Sequence, residues 1–179
     1  MRIEAKIDRR LRQLQEAQDA SLGEIRQRPM PECRLVWMRQ ELRLHSFLDM
    51  EQSIRALDRE QRETAIFLGK VGVSLSPEKL QAGRFEEYDG IFLVLEEEDR
   101  FHGKIIRIPA GECVQVRFRG SHPQAPAQYR KLMDYMAREG WTAAGFSREI
   151  TLIDNGLTED TEKFVTEITI PVTRKRPAE

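Results

Sequence analysis

Long apolar stretches are missing from this 179-residue sequence, and runs such as residues 91–95 extend over only a few positions. A transmembrane helix needs about 20 predominantly apolar residues, so none is expected. The charged start, Met1-Arg2-Ile3-Glu4, is unlike a secretory signal peptide. We therefore expect a cytoplasmic protein that makes no membrane contact.

An excess of charge of either sign is also missing. The sequence has 29 Lys and Arg against 30 Asp and Glu, a formal net charge of -1. A globally basic nucleic-acid binder is therefore disfavoured, and so is an acidic disordered chain.

Cysteine and histidine are scarce, and the motifs of common enzymes are absent. Two cysteines, Cys33 and Cys113, do not make a disulfide framework, and three scattered histidines do not make a zinc site. The sequence contains no recognisable motif of a Ser-His-Asp triad, no HExxH, no glycine-rich phosphate loop and no CxxC. It therefore predicts no metal, no cofactor and no enzymatic activity.

An internal repeat is present at an offset of 80 residues. Segments 28–39 and 108–119 align without a gap and share five identical residues, namely Pro29/Pro109, Glu32/Glu112, Cys33/Cys113, Val36/Val116 and Arg39/Arg119. This number of matches in one register indicates that the chain is built from two related halves.

Each half is predicted to continue from its repeated strand into a helix and two more strands. Helices are predicted over 49–62 and 124–139, where apolar residues recur at helical spacing. The later strands are predicted over 64–75 and 91–96 in the first half, and over 141–153 and 164–172 in the second. Two such β-α-β-β halves predict an α+β fold, in which one antiparallel sheet carries both helices on one face.

A different element precedes the repeats. Ile3, Ile7, Leu11 and Leu14 recur at three- and four-residue steps among polar residues, which predicts an amphipathic helix within residues 1–22. The narrow apolar stripe is typical of a coiled-coil seam. A helix that packs on its own domain is the alternative.

Strand alternation assigns one acid to the face that the helices leave uncovered. In residues 146–153, the apolar set containing Phe146 and Ile150 is expected against the helices, so Glu149 is predicted on the other face. The repeat extends that face to an aromatic and aliphatic surface, which suits a small-molecule cleft. The candidate ligand-binding residues are Glu149, Trp37, Phe67, Val73, Tyr88 and Arg117.

Glu149 has two interpretations. It is either a mid-strand acid that is exposed to water or paired with Arg117, or a carboxylate whose desolvation penalty a cationic ligand compensates. In the second case Trp37 would add a cation–π contact. An ion pair with Arg117 would instead suit polar or anionic ligands. Trp37 and Phe67 are also candidates for ordinary core residues.

Residues 145–150 and 164–172 resemble strands of a known family. From about residue 23 to 172, the sequence resembles the GyrI-like effector-binding domain of MerR-type multidrug-responsive transcription activators. The resemblance implies a concave sheet that binds ligand where the two halves meet, with a glutamate at the position of Glu149 that pairs with lipophilic cations. Residues 2–20 resemble the helix through which such regulators dimerise, and DNA would be bound only by a helix-turn-helix domain that this chain lacks.

The resemblance divides the chain into a dimerisation helix (1–22), a GyrI-like domain (23–173, with halves 23–99 and 100–173) and a tail (174–179). It implies a domain that senses a lipophilic, cationic effector to control transcription, and a homodimer as the assembly. A stand-alone protein-binding module of the gyrase-inhibitor type is one alternative. A small-molecule hydrolase with Glu149 as general base is another.

Overall fold

The computed structural model describes residues 22–43, 70–95, 104–120, 122–153 and 165–175, together with Asp8 and Arg12. Asp8 and Arg12 are helical and exposed. The rest of the predicted helix before Leu22, the predicted helix over 49–62 and Phe67 lie outside the described residues. The predictions for these segments stay predictions.

The described residues form nine strands in one mostly antiparallel α+β architecture with two helices. No helix within these ranges is long and apolar enough to cross a membrane. The helices are α1 (Pro77–Ala82) and α2 (Ala125–Glu139), with a 3-10 turn at His122–Gln124 before α2. The strands are β1 (Ile25–Met30), β2 (Cys33–Arg43), β3 (Lys70–Ser74), β4 (Glu87–Leu95), β5 (Ile106–Ile108), β6 (Gly111–Arg119), β7 (Trp141–Ala143), β8 (Arg148–Ile153) and β9 (Val165–Arg174).

The helix boundaries follow from local sequence. Ser76 is the N-cap of α1, and its hydroxyl accepts a hydrogen bond from the Lys79 N–H at 3.3 Å. Gly83 ends α1 with φ 73°, and Gly140 ends α2 with φ 78°. These left-handed conformations favour glycine, which explains both helix ends. The prediction of a helix over 124–139 is confirmed by α2.

The strand order is symmetric about its centre. The path runs β1-β6-β9-β8-β3-β4-β2-β5, and β7 pairs with β9 outside it. Cys33 of β2 pairs with Ile108 of β5, while Cys113 of β6 pairs with Arg28 of β1. Cys33 and Cys113 are 80 residues apart in the sequence, and so are their partners Arg28 and Ile108. β1 therefore pairs with β6 of the second half, and β5 pairs with β2 of the first half. The two pairings have equivalent registers, related by the 80-residue offset of the sequence repeat.

Short connections force this sheet to curl. β1 and β2 are six inter-strand steps apart, about 29 Å in a flat sheet, yet only Pro31 and Glu32 join them. Three Cα–Cα steps span at most about 11 Å. The two ends of the sheet therefore approach each other. The guanidinium of Arg148, from the central strand β8, donates to the sulfur atoms of Met30 and Cys33, so the ends fold toward the face that carries Arg148.

The two faces of the sheet carry separate apolar clusters. On the face covered by α2, called the helix face below, the cluster is large and contains Tyr129, Leu132 and Met136 of α2. The opposite face carries a smaller cluster of Leu35, Phe92, Ile150 and Val165, with Trp37 and Val94 packed against it. The strand residues of the helix-face cluster include Val73, Ile91, Val114, Val116, Phe118, Ile168, Ile170 and Val172.

The halves meet where β3 pairs with β8, and this junction has no room for a side chain at Gly72. A Cβ on Gly72 would lie 2.4 Å from the carbonyl oxygen of Glu149 and 2.6 Å from Cζ of Phe92. The backbone contact cannot be relieved by a change of rotamer. Glycine at this position is therefore required for β3 and β8 to pair while the Phe92 ring crosses over β3.

Substituting Gly72→Ala is expected to lower the free energy of unfolding by about 1–3 kcal/mol, because the added methyl group overpacks the junction. Urea denaturation followed by circular dichroism measures this change. Gly111→Ala is the matched control, since a Cβ there meets no heavy atom within 4 Å. Equal stability of the two variants would contradict the close contact between β3 and β8.

Candidate functional site

Glu149 lies on the helix face, not on the uncovered face as predicted. In β8 it pairs with Val73 of β3 on one side and Ile168 of β9 on the other. Directly opposed residues of antiparallel strands share a face. Val73 and Ile168 both belong to the core beneath α2, so Glu149 does as well. The prediction failed because both faces carry apolar side chains, and Ile150 belongs to the smaller cluster on the opposite face.

The Glu149 carboxylate is fully buried, with 0% of its surface exposed. The Tyr88 hydroxyl, from β4, donates a hydrogen bond of 2.8 Å to Oε2 of Glu149. Tyr129 of α2 also lies near the carboxylate, whose negative charge acts on its phenol. The Tyr129 hydroxyl shares a 3.0 Å hydrogen bond with Oγ of Ser147, which accepts a second from the Leu75 N–H. A short polar chain is thus enclosed within the apolar core.

Burial keeps both phenols protonated at alkaline pH values at which an exposed tyrosine ionises. It raises the pKa of Tyr88 well above the ordinary value of 10.0, and the negative charge of Glu149 raises it further. Burial also raises the pKa of Tyr129 well above 10.0, again with a contribution from Glu149. The ionised phenol is disfavoured in both cases because it would lose hydration and face a carboxylate. Tyr88 therefore stays a hydrogen-bond donor to Glu149 at neutral pH.

A carboxylate in these surroundings is costly. Its strand neighbours Val73 and Ile168 are 1% and 0% exposed. Moving an ionised carboxylate from water into such a site requires compensation by hydrogen bonds or by a positive charge. Replacement of buried ionic groups by apolar residues is often neutral or stabilising, so fold stability gives little reason to keep Glu149. This pattern marks the Glu149 region as the candidate functional site.

The predicted site residues divide between the two faces. Glu149, Val73 and Tyr88 come together on the helix face. Trp37 and Arg117 lie on the opposite face, along the cross-strand row that runs through Phe92, Gly72, Ile150 and Glu167. Trp37 therefore does not share a surface with Glu149, and Phe67 lies outside the described residues.

Arg117 does not neutralise Glu149. Its Nε donates to Oε2 of Glu167 at 2.7 Å, and the two residues are directly opposed in β6 and β9. Glu149 is therefore neither exposed to water, since none of its surface is accessible, nor paired with Arg117, which lies on the opposite face. Trp37 instead stacks on Phe146, with ring centroids 5.3 Å apart.

Tyr129 and Ser147 belong to the site although the sequence did not predict them as site residues. Tyr129 is part of the apolar stripe of α2, which packs on the sheet. A tyrosine in the apolar stripe of a helix does indicate a buried polar group nearby, because a buried tyrosine hydroxyl usually has a hydrogen-bond partner. Within the described ranges, no group of three or more His, Cys, Asp or Glu is placed to hold a metal ion.

The fold is similar to several solved structures at low sequence identity. The C-terminal domain of EcmrR, a MerR-family regulator, has a TM-score of 0.67 and 16% identity, over 84% of this chain and 98% of that domain. EcmrR in complex with DNA also has a TM-score of 0.67, with 18% identity, over 98% of this chain and 66% of that one. A hydrolase from Listeria innocua has a TM-score of 0.55 and 17% identity, over 86% of this chain and 94% of that one. These identities show a shared fold and no more.

The family is shown by the sequence itself. No curated protein matches it, but residues 23–173 match the model of the GyrI-like small molecule binding domain. The matched range makes up most of the chain and contains Glu149 and its neighbours Tyr88 and Tyr129. The chain therefore belongs to the family of GyrI-like small-molecule-binding domains.

Proposed function

We propose that this chain is the effector-binding domain of a MerR-type transcriptional regulator and that it binds a lipophilic cation at Glu149. The observation that carries the proposal is the fully buried carboxylate, hydrogen-bonded to Tyr88 and surrounded by apolar side chains on the helix face. The similarity of the fold to the C-terminal domain of EcmrR supports the choice of a regulator.

The chemistry of the site favours a cation with a large apolar body. A delocalised positive charge compensates the carboxylate without itself requiring full hydration. The aromatic rings of Tyr88 and Tyr129 add cation–π attraction of about 0.5–2 kcal/mol. Hydrophobic neighbours such as Ile91 and Ile168 accept the apolar part of the ligand. A small, strongly hydrated cation has no apolar body and would not make these hydrophobic contacts.

Burial of Glu149 also supports coupling between binding and conformation. Since none of its surface is exposed, a ligand reaches the carboxylate only in a state in which a covering element has moved. α2 is one such element, because it carries Tyr129 across the site. A ligand that binds only the moved state shifts the population toward it. The shift is the signal that a regulator transmits to its other domains.

The assembly belongs to the same proposal. We infer that the helix within residues 1–22 joins two copies into a homodimer, and that a separate helix-turn-helix domain contacts DNA. The structure of EcmrR with DNA supports this arrangement, because the chain covers 66% of EcmrR and leaves a third of that protein for other functions.

Replacement of Glu149 tests the ligand site. Tetraphenylphosphonium is expected to bind more tightly than neutral triphenylphosphine oxide. Glu149→Gln is expected to weaken tetraphenylphosphonium binding at least about tenfold, which corresponds to about 1.4 kcal/mol, because the substitution removes the negative charge and keeps the shape. Isothermal titration calorimetry measures both affinities.

Glu112→Gln is the control for this experiment, because it removes the same charge from an exposed position of β6. Its affinity for tetraphenylphosphonium should equal that of the unaltered chain. Unchanged affinity in Glu149→Gln would contradict the site. If the chain hydrolyses 4-nitrophenyl acetate and Glu149→Gln abolishes that activity, the hydrolase alternative is favoured. Cation binding alone does not account for such an activity.

The protonated tyrosines predict a loss of stability at alkaline pH. Below pH 10 the folded and unfolded states both keep the phenol protons. Above pH 10 the unfolded chain releases them, whereas the raised pKa values of Tyr88 and Tyr129 retain them in the folded state. Each tyrosine then lowers the free energy of unfolding by up to about 1.4 kcal/mol per pH unit. Urea denaturation between pH 8 and 11 measures this slope.

Tyr88→Phe is the informative variant, because it removes one of the two buried phenols. Its slope above pH 10 should be shallower than that of the unaltered chain, by up to about 1.4 kcal/mol per pH unit. Identical slopes would show that Tyr88 ionises as readily in the folded state as in the unfolded one, contrary to its burial against Glu149.

A further inference from the structure

A cavity lies on the opposite face of the sheet, where the curled ends approach β8. Its volume is about 340 Å³. Among the residues that the structure describes, three arginines, Arg28, Arg117 and Arg148, and one acid, Glu167, line it. We call this cavity the opposite-face groove. These four side chains together carry a net positive charge of two, in contrast to the acidic site on the helix face.

Two of the three arginines have oxygen acceptors within the groove. Arg117 is paired with Glu167, and the N···O distance is 2.7 Å. Arg28 donates to the side-chain oxygen of Gln115 at 3.3 Å, and Gln115 in turn donates to Oγ1 of Thr169 at 3.0 Å. These contacts hold the polar wall of the groove in place.

Arg148 is different. Its two terminal nitrogens donate to the sulfur atoms of Cys33 and Met30, which are weak hydrogen-bond acceptors. Its Nε is buried and has no hydrogen-bond partner among the residues that the structure describes. A guanidinium is always charged and presents a planar fork that matches a carboxylate. A buried N–H without an acceptor is costly. An anion bound here would supply the strong hydrogen-bond acceptor that the sulfur atoms do not provide.

The rest of the groove is apolar. Ile150 belongs to the smaller hydrophobic cluster and Val94 packs against it, and Pro29 and Pro31 form part of the wall beside them. A volume of about 340 Å³ is at the lower end of the range of ligand pockets. The combination of one cationic fork with an apolar wall suits a small molecule that has an anionic end and a hydrophobic body.

We propose that the opposite-face groove is a second ligand site, which binds an amphipathic organic carboxylate through Arg148. The carboxylate accepts from the guanidinium, and the hydrophobic body lies against Ile150 and Val94. This site is independent of the proposed binding of a cation, because Arg148 and Glu149 are consecutive in β8 and point to opposite faces. The same strand would then contact an anion on one face and a cation on the other.

The probe is 2-naphthoate, with neutral 2-naphthamide as its isosteric control. Calorimetry on the full chain is expected to show that 2-naphthoate binds at least about tenfold more tightly than the amide. This comparison uses the unaltered protein, so it does not depend on whether a variant folds. Equal affinities, or no binding of 2-naphthoate at millimolar concentration, would overturn the proposal.

Arg148→Gln is expected to weaken 2-naphthoate binding at least about tenfold. Arg26→Gln is the matched control, since the Arg26 side chain is 53% exposed and its ion-pair partner is Glu24, outside the groove. Its affinity for 2-naphthoate should be unchanged. An equal loss in both variants would show non-specific attraction to positive charge and would overturn the assignment to Arg148. Failure of tetraphenylphosphonium to bind would contradict the Glu149 site and leave this outcome unaffected.

Discussion

The burial of the Glu149 carboxylate is the constraint on which the functional account depends. This carboxylate lies beneath α2 and accepts a hydrogen bond from the Tyr88 hydroxyl. The same environment keeps Tyr88 and Tyr129 neutral by raising their pKa values. The arrangement leaves a site of negative charge, aromatic rings and apolar walls. The proposed binding of a lipophilic cation rests on these properties, which favour such a ligand over a hydrated cation.

The curl of the sheet gives the molecule its second chemical environment. Two-residue connections draw β1 and β2 together although they stand far apart in the strand order. Met30 and Cys33 consequently reach Arg148, which a flat sheet would hold at a distance. Alternation along β8 then separates the charges of Arg148 and Glu149 onto different faces. β8 thus contributes a positive side chain to one face of the sheet and a negative side chain to the other.

The sequence predicted the elements better than it predicted the faces. Helical spacing predicted α2, and the pairs Cys33–Ile108 and Arg28–Cys113 differ by the same 80 residues as the sequence repeat. Alternation failed at Glu149 because it separates two faces without saying which one α2 covers. Ile150 looked like a residue under the helix, but it packs with Phe92 on the other side. The curl that groups Arg148 with Met30 depends on long-range strand order, which a local pattern does not contain.

The position of a bound lipophilic cation tests the central claim most directly. A crystal structure of the chain with tetraphenylphosphonium is expected to show the phosphonium group on the helix face, in contact with the Glu149 carboxylate and the ring of Tyr88. An element that covers Glu149 should be displaced in that complex. A cation bound beside Trp37 on the opposite face, with the Glu149–Tyr88 hydrogen bond still enclosed in the core, would contradict the account.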